Sequence, residues 1–293
     1  MNLDGFLKRG IGEDQQLTVD LHTHSTASDG TFSPQEIVQL AIARGAVALA
    51  LTDHDTMAGI SIAAPIAAQA GVWLVPAVEF NTDAAGIEMD ILGYFWDLPK
   101  AHWFQCLLDT RQQERIRRAH EIIDKLNHLG FEISYEQVRG VARGIVARPH
   151  IAQVMVEKGY VQSQKEAYEK YIGFGKPAYA ERDELHPIHA IQYVREAGGL
   201  AVLAHPGLLQ RDDLLPDLVK AGLSGLEVYY PEHTAVQIKT YLSLAEDYQL
   251  VVTAGTDCHG PGREKAHPVA SVGLPMHYLQ AFRERLRIAW GKS

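Results

Sequence analysis

The stretch LTVDLHTHSTASDGTFSPQEIVQLAIARGAVALALTDHD (residues 17–55) contains one strand–helix–strand unit. Two apolar runs, LTVDL and VALAL, are each followed closely by His and Asp residues. Between them Ser33 can act as a helix N-cap, Pro34 occupies the first helical position, and Glu36 completes a capping box. Gly45 stands where a left-handed residue would end that helix. Two strands joined by such a helix predict a parallel βαβ unit.

The same alternation continues along most of the chain. Several later runs are continuously apolar, as in LAVLAHP, which is typical of strands buried on both faces. We therefore predict an α/β fold with a distorted seven-stranded parallel (β/α)7 barrel, and a doubly wound open sheet is the alternative. The predicted strands are residues 17–22, 47–53, 72–80, 89–95, 200–205, 225–230 and 250–257.

The alternation breaks between Trp96 and Glu184, where the sequence has helical periodicity instead. A long amphipathic helix is expected first, followed by shorter ones, over residues 102–129, 135–142, 149–158 and 163–172. We predict that this segment is an insertion after the fourth strand. The chain would then consist of residues 1–98 with strands one to four, a helical insertion at 99–184, and residues 185–293 with strands five to seven.

Composition and charge limit the class of partner. The chain has 293 residues, 46% of them hydrophobic and 22% charged, which favours a folded protein with a sizeable core. Its formal net charge of −9 argues against a broad basic surface for duplex DNA. A small anionic substrate is compatible with that charge, because bound metal cations would reverse the local field. The sequence alone does not define an oligomeric state.

Cellular location is predicted from three further features. Two cysteines, Cys106 and Cys258, imply no disulfide framework, which favours a reducing cytoplasm. Residues 1–16 lack the apolar core of a signal peptide. The longest apolar run, residues 46–51, is too short to span a bilayer, so no membrane association is expected.

Histidine and acidic side chains concentrate at the ends of the predicted strands. In parallel α/β folds these ends meet at one mouth, so residues far apart in sequence converge there. In a His-x-His pair on a strand both side chains share one face, so both histidines of HTH can bind one ion. The candidate metal ligands are His22, His24, Asp29, His54, Glu79, Asp90, His205, Asp257 and His259.

This combination of residue types suits divalent metal ions. Imidazole and carboxylate groups together bind Mn²⁺, Fe²⁺ or Zn²⁺, and a carboxylate such as Glu79 can bridge two ions. The candidates exceed the need of one ion, so we expect two or three, with Mn²⁺ preferred to Fe²⁺, Zn²⁺ or Mg²⁺. Two ions about 3.5–4 Å apart clamp the attacking and leaving oxygens in displacement at phosphorus. The site therefore predicts hydrolysis of a phosphate ester by a metal-activated hydroxide.

Other polar residues are weaker candidates, and most of them allow two interpretations. Asp53 and Asp55 flank His54, and each could either orient it or cap the next helix. Glu227 lies inside the sixth predicted strand and could contact the ligands from the barrel interior. Four arginines of the long helix are interpreted as a solvated face paired with nearby glutamates, in preference to a phosphate site: Arg111, Arg115, Arg117 and Arg118.

Five stretches resemble the PHP (polymerase and histidinol phosphatase) family: VDLHTHSTASDGTFSP (19–34), ALALTDHDT (48–56), VPAVEF (75–80), VLAHPG (202–207) and TAGTDCHG (253–260). The resemblance covers most of the chain. It implies a distorted seven-stranded barrel with, usually, a trinuclear metal centre at its mouth. The implied ligands are those named above except at Asp90, where many relatives have His. Because aspartate can also bind metal, Asp90 stays in the set.

The segment ARPHIAQVMVEKGYVQSQKEAYEKYIGFGKPAYA (147–180) resembles the insertion of a bacterial TrpH-like subgroup. This resemblance implies removal of phosphate from nucleoside 3′,5′-bisphosphates or degradation of short 5′-phosphorylated RNA. His205 or a metal-bound water would protonate the leaving alcohol, and Asp257 is a second catalytic candidate. The candidates for contact with substrate phosphate are Arg148, His150, Lys176 and His233.

Other functions remain open for the same residues. Related folds hydrolyse histidinol phosphate or act as proofreading exonucleases, and C–N bond hydrolysis occurs in the wider amidohydrolase group. A carboxylated-lysine site would need a lysine at a strand end, and the sequence shows none there. A non-catalytic metal or nucleotide sensor is the alternative of another class, but nearly all ligand positions are filled, which favours an enzyme.

Overall fold

Eight strands form a single mixed sheet in the computed structural model, which describes residues 12, 14–142, 144–181, 184–261 and 266–291. Most of the N-terminal stretch used for the signal-peptide prediction lies outside these described residues. The strands are β1 Gln16–Asp20, β2 Ala48–Leu51, β3 Trp73–Ala84, β4 Ile87–Tyr94, β5 Leu200–Leu203, β6 Gly225–Tyr229, β7 Val251–Ala254 and β8 Val272–Pro275. Their order across the sheet is β7-β6-β5-β4-β3-β2-β1-β8.

The strand directions divide the sheet into two parallel groups. β1, β2 and β3 are parallel to one another, and so are β5, β6 and β7. Between the groups, β4 is antiparallel to both neighbours, and β8 is antiparallel to β1. The prediction of an α/β barrel is confirmed, but that of seven all-parallel strands was wrong. The structure has eight strands, two of which run against the rest.

A tight hairpin explains the direction of β4. β3 and β4 pair in register from Ala77 opposite Tyr94 to Ala84 opposite Ile87. Only two residues connect them, Ala85 and Gly86, and both have positive φ angles of 54° and 84°. Such a pair is typical of a type I′ turn, and a connection this short can join only antiparallel strands. The connection between the third and fourth predicted strands is too short for a crossover helix, and the sequence prediction overlooked this.

The barrel closes at the carboxyl end of the strands. Beyond β1, the chain hydrogen-bonds to the segment that follows β7. The Leu21 amide donates to the Ala254 carbonyl, the Asp257 amide to the His22 carbonyl, and the His24 amide to the Cys258 carbonyl, each at 2.9 Å. β8 pairs with the lower part of β1 on the same side. The first and last predicted metal-binding motifs are thereby brought side by side in a nearly closed barrel.

Helices cover the outside of the barrel. The first, α1 (Pro34–Ala43), has the predicted capping box between Ser33 and Glu36, and Gly45 follows it with φ 75°. The others are α2 Ala58–Ala70, α7 Pro187–Glu196, α8 Pro206–Leu209, α9 Leu215–Ala221, α10 Ala235–Asp247 and α11 Met276–Trp290. Among the described helices, none combines the length and apolar character needed to cross a membrane.

A helical segment separates β4 from α7. It contains α3 His102–His128, α4 Tyr135–Val141, α5 Arg148–Glu157, α6 Gln164–Ala167 and a π-helical turn at Tyr168–Ile172. Its apolar side chains, such as Leu126 and Met155, form a core separate from that of the barrel. The N-terminal half of α3 packs in the barrel core through Phe104 and Leu108, and its C-terminal half in the helical core through Ile122. α3 therefore joins the two cores, and its middle lies at the barrel mouth.

Candidate metal centre and substrate cavity

A cavity of about 300 Å³ lies at the barrel mouth, where the barrel and the helical segment meet. Seven of the nine predicted metal ligands line it. The other two, His22 and His24, are fully buried at the end of β1, in contact with Glu79 and Asp257 of the cavity wall. The structure therefore brings all nine residues together. Seven of them follow the ends of the parallel strands β1, β2, β5 and β7, as strand topology predicts, whereas Glu79 and Asp90 lie within the paired strands β3 and β4.

The first ligand set consists of His22, His24, Glu79 and Asp257, whose ligand atoms lie within 4.8 Å of one another. Nε2 of His22 is 3.3 Å from Glu79 Oε1 and 3.2 Å from Asp257 Oδ1. Nε2 of His24 is 2.9 Å from Glu79 Oε2 and 3.1 Å from Asp257 Oδ1. Both histidines thus point to the same two carboxylates, as the His-x-His spacing predicts.

A second set surrounds Asp29 and contains His24, His54 and His259. Oδ1 of Asp29 is 3.6 Å from His54 Nε2, 3.3 Å from His259 Nε2 and 4.0 Å from His24 Nδ1. The rings of His24 and His259 stack with centroids 4.1 Å apart. His24 belongs to both sets, so its replacement would affect both.

The third set contains Glu79, Asp90 and His205. His205 Nε2 lies 3.7 Å from Asp90 Oδ2. Glu79 is shared with the first set, which is the arrangement expected of a bridging carboxylate. Asp90, the position that departs from the family pattern, thus lies within reach of two other candidate ligands.

The chemistry of these atoms fits divalent metal ions. Among the described residues, several buried atoms of the sets make no hydrogen bond, although they face one another at ion-pair distances: Nε2 of His22, both ring nitrogens of His24, Nδ1 of His54 and Oε2 of Glu79. Leaving a buried polar atom unpaired costs roughly 1–3 kcal/mol, so such a cluster is unfavourable unless a ligand satisfies it. Mixed imidazole and carboxylate donors bind Mn²⁺, Fe²⁺ and Zn²⁺.

The pKa values follow from burial and from the neighbouring charges. Burial favours protonation of Glu79, but the surrounding histidines hold its pKa well below the ordinary value. Burial would lower the pKa of His24, yet Glu79 and Asp257 raise it to about 10. Burial lowers the pKa of His54 to about 3, which keeps its ring neutral and able to bind metal. Burial, together with the charge of Glu79, raises the pKa of Asp90 to about 6.

Two buried carboxylates support the ligands from behind. Glu227 lies 3.1 Å from His22 Nδ1 and accepts a hydrogen bond from the His205 amide at 2.9 Å. It is thus the barrel-interior partner that the sequence allowed, and it orients the imidazole of His22. Asp53 instead accepts hydrogen bonds from the Ser25 amide and hydroxyl and from the Ser28 hydroxyl, at 2.6–2.7 Å. It therefore holds the loop that carries Asp29, rather than orienting His54 or capping a helix.

Three of the seven non-glycine residues with positive φ in the described part of the chain belong to this site. Asp55, His205 and Asp257 have positive φ angles of 54°, 29° and 52°, which non-glycine residues rarely adopt. Such conformations cost about 1–3 kcal/mol each and persist only where the surrounding structure enforces them. The strain aims the side chains of His205 and Asp257 into the cavity.

The arginines of α3 were misjudged from the sequence. Arg117 does pair with Glu114 and Glu121 on the surface, at 2.7 and 3.5 Å, as predicted. The interpretation as a solvated face was wrong for the other three, which line the cavity: Arg111, Arg115 and Arg118. Their spacing of four and three residues places them on one helix face. The sequence shows that periodicity, but it does not show which part of the protein this helix face contacts.

Asp55 attaches α3 to the barrel mouth. Its carboxylate accepts a hydrogen bond from Arg115 Nε at 2.6 Å and lies 3.6 Å from Arg111 Nε. Its carbonyl accepts from Gln112 Nε2 at 3.1 Å. Because the Asp55 side chain is fully buried, this contact is a charged hydrogen bond shielded from solvent. Neither role expected from the sequence, orienting His54 or capping a helix, is seen.

The predicted phosphate contacts lie in different places. Arg148 lines the cavity, with its guanidinium 5.7 Å from the ring centroid of Tyr168, another lining residue. His150 is buried, and its Nδ1 accepts a hydrogen bond from the Ala147 amide at the start of α5. Lys176 is exposed in its turn, outside the cavity lining.

His233 is also away from the cavity. Its Nδ1 lies 2.9 Å from the Val228 carbonyl, and its Nε2 accepts a hydrogen bond from the Gly207 amide at 3.1 Å. Both ring nitrogens are thus engaged with backbone, which supports the loop after His205. Only Arg148 of the four candidates reaches the cavity, and Asn81 and Tyr168 are lining residues that the sequence prediction missed.

Comparisons with known proteins agree with this geometry. The PHP domain family model matches residues 20–173. A 5′-3′ exoribonuclease from Haemophilus influenzae is 36% identical over 249 residues, which cover 83% of this chain and 90% of that protein. A 3′,5′-nucleoside bisphosphate phosphatase from Chromobacterium violaceum is 31% identical over 256 residues, covering 83% and 88%. A crystal structure from Bifidobacterium adolescentis, described as a metal-dependent phosphoesterase, superposes with a TM-score of 0.82 at 26% identity, covering 92% of this chain and 96% of that one.

Proposed function

Because this chain belongs to the PHP domain family and is a metal-dependent phosphoesterase, we propose that its substrates are nucleotide phosphate esters. Nucleoside 3′,5′-bisphosphates and short 5′-phosphorylated RNA are the two candidate classes, in agreement with the names of the relatives. One observation carries the proposal. A single cavity combines a wall of metal-binding side chains from the barrel with a wall of arginines from the helical segment.

We propose that the three ligand sets hold two or three divalent cations, with Mn²⁺ preferred and Fe²⁺, Zn²⁺ and Mg²⁺ as alternatives. The shared residues His24 and Glu79 would couple the sets into one centre. When bound, such ions activate a water molecule as the nucleophile and neutralise charge on the phosphoryl group. The protein contributes fixed ligand positions and, through Glu227 behind His22, a fixed imidazole orientation.

The arginine wall favours a substrate with a second phosphate. Guanidinium groups bind phosphate oxygens in a planar, bidentate geometry. A bisphosphate with one phosphate at the ligand sets could place its other phosphate near Arg111 and Arg148, which line the same cavity. Histidinol phosphate has a single phosphate and a cationic amine, which these arginines would repel. This electrostatic difference favours nucleotide substrates over histidinol phosphate.

We propose that His205 and Asp257 act on the reacting groups. The His205 amide is held by Glu227, and its ring is partly exposed to the cavity. With cations in the first two sets only, Nε2 of His205 would hold the proton that the leaving alcohol takes. With the third set filled, that nitrogen would bind metal instead, and a water molecule in the cavity would supply the proton to the leaving alcohol. Asp257, which contacts His22 and His24, would orient the attacking water from the same wall.

The division of the chain and its location are also proposals. The two separate apolar cores support a barrel made of residues 1–98 and 185–293 with a helical insertion at 99–184, of which the start of α3 packs in the barrel core through Phe104 and Leu108. Cys106 and Cys258 are both free, which supports a cytoplasmic protein. The net charge of −9 supports a small anionic substrate bound through metal ions, rather than duplex DNA or a membrane surface.

Phosphate release from a panel of esters tests the proposed function. The panel comprises adenosine 3′,5′-bisphosphate, 5′-AMP, a short 5′-phosphorylated RNA, histidinol phosphate and an aryl phosphate, each with Mn²⁺ or with chelator. We expect metal-dependent release from the bisphosphate or the RNA and little from histidinol phosphate. Preference for histidinol phosphate would contradict the nucleotide assignment. A metal-loaded protein that binds nucleotide but releases nothing would indicate a sensor.

A further inference from the structure

Two hydrogen bonds link the helical segment to the third ligand set, and a third holds the arginine in place. Arg115 on α3 donates from a terminal guanidinium nitrogen to Asn81 Oδ1 at 2.6 Å. Asn81 on β3 donates from Nδ2 to Asp90 Oδ1, also at 2.6 Å. Asn81 and Asp90 are direct cross-strand partners in the β3–β4 hairpin. The guanidinium itself is held by Asp55 at 2.6 Å, so the chain of hydrogen bonds is continuous from the buried Asp55 carboxylate to the partly exposed Asp90 carboxylate.

The direction of these bonds is dictated by chemistry. A guanidinium can only donate hydrogen bonds, so the amide oxygen of Asn81 must face Arg115. The Asn81 NH₂ group is then necessarily turned towards Asp90. That contact occupies Oδ1 of Asp90 and leaves Oδ2 facing His205 Nε2, 3.7 Å away. Oδ2 is thus the atom free to share a cation with His205 and Glu79.

The network also balances the positive charge of Arg115. A cationic arginine beside a metal set would oppose cation binding if its charge were unbalanced. The fully buried Asp55 balances the charge of Arg115 at close range, so the arginine can order Asn81 at a small electrostatic penalty. The Asp90 carboxylate rotates more freely than an imidazole ring at this position would. Its orientation therefore depends more on a hydrogen-bond partner such as Asn81.

We propose that Arg115 and Asn81 are positioning residues that hold Asp90 in its metal-binding orientation, so that the helical segment controls occupancy of the third cation set. This inference rests on the proposed metal centre. It is supported by the hydrogen bonds from Arg115 through Asn81 to Asp90, in addition to the ligand set itself. Loss of partners behind a metal ligand typically weakens metal affinity by about 10–100-fold.

Metal binding without substrate tests the proposal. The full-length protein and its variants are titrated with Mn²⁺ alone by calorimetry, and bound metal is counted by mass spectrometry after desalting. We expect three ions in the wild type. In Asn81→Leu and Arg115→Met we expect the weakest ion to bind about 10–100-fold less tightly, with the other two unchanged. Arg117→Met, on the same helix but paired at the surface, is the matched control and should bind like the wild type.

An Asp90→His background separates positioning from general damage. A histidine there has its own ring orientation, so adding Asn81→Leu to Asp90→His should change the affinity of the third ion less than threefold. Unchanged binding of all three ions in both single variants, or only two ions in the wild type, would overturn the proposal. If circular dichroism shows that Arg115→Met does not fold, the Mn²⁺ affinity of Asn81→Leu is the deciding measurement. That variant keeps the Arg115–Asp55 pair. Phosphate release is not needed, so failure of the substrate assignment leaves this test intact.

Discussion

The two walls of the cavity differ in charge, in origin and in how they are held. The barrel wall consists of histidines and carboxylates that follow the strands or lie within them, held by backbone pairing and by buried partners such as Glu227. The helical wall consists of arginines from α3 and α5, held where α3 joins two cores. We therefore expect that the metal ligands come from the barrel wall, with the α3 contact through Asn81 acting on Asp90 of the third set, and that the choice of substrate depends on the arginines of the inserted helices.

The largest effect is expected from breaking the barrel wall at His24, which belongs to two ligand sets. His24→Ala should lower kcat by about a thousandfold or more, because several kcal/mol of transition-state stabilisation by metal are lost. His128→Ala, at an exposed position on α3, is the control and should retain full activity. The measurement is phosphate release together with bound Mn²⁺. Normal turnover in His24→Ala would disprove the assignment of the metal centre.

A smaller effect is expected from Glu227→Gln, which removes the charge behind His22. Metal affinity should fall by about 10–100-fold. The stabilisation that saturating Mn²⁺ gives to the folded protein should then shrink by about 1.4–2.7 kcal/mol. Thermal unfolding with and without Mn²⁺ measures this, and Glu246→Gln, exposed on α10, is the control. An unchanged Mn²⁺ effect would show that Glu227 only fills space.

Breaking the helical wall should affect substrate choice instead. Arg111→Ala should raise KM for adenosine 3′,5′-bisphosphate by about 10–100-fold, because a charge-assisted hydrogen bond contributes roughly 1.5–3 kcal/mol. The kinetics of an aryl phosphate and the bound Mn²⁺ should stay the same. Arg117→Ala, paired with Glu114 and Glu121 on the same helix, should change neither substrate. Equal losses on both substrates would contradict the division of roles between the walls.

The smallest effect is expected at Lys176, which the resemblance suggested as a phosphate contact. It is exposed and outside the cavity lining. Lys176→Ala should therefore keep KM for the bisphosphate within about twofold of the wild type, since surface substitutions away from such contacts typically change free energies by less than 0.5 kcal/mol. A tenfold rise in KM would show that the substrate extends beyond the cavity to this turn.

The candidate metal ligands could be predicted from the sequence because most of them depend on local rules. Seven of them follow apolar runs that form parallel strands, and the topology of α/β folds takes such ends to one mouth, whereas Asp90 reaches it through the antiparallel pairing of β4 with β3. The His-x-His motif needed only the two-residue period of a strand to place His22 and His24 on one face. The capping box at Ser33 likewise depends on residues that are near in sequence, and the structure shows it as predicted.

What only the tertiary structure decided is which surfaces meet. Helical periodicity puts Arg111 and Arg115 on one face, but their position in the cavity follows from α3 packing into two cores at once. The antiparallel direction of β4 depends on the turn at Ala85, and the engagement of both His233 nitrogens depends on carbonyl and amide groups distant in sequence. Local sequence determines which side chains an element presents, whereas long-range packing determines what they contact.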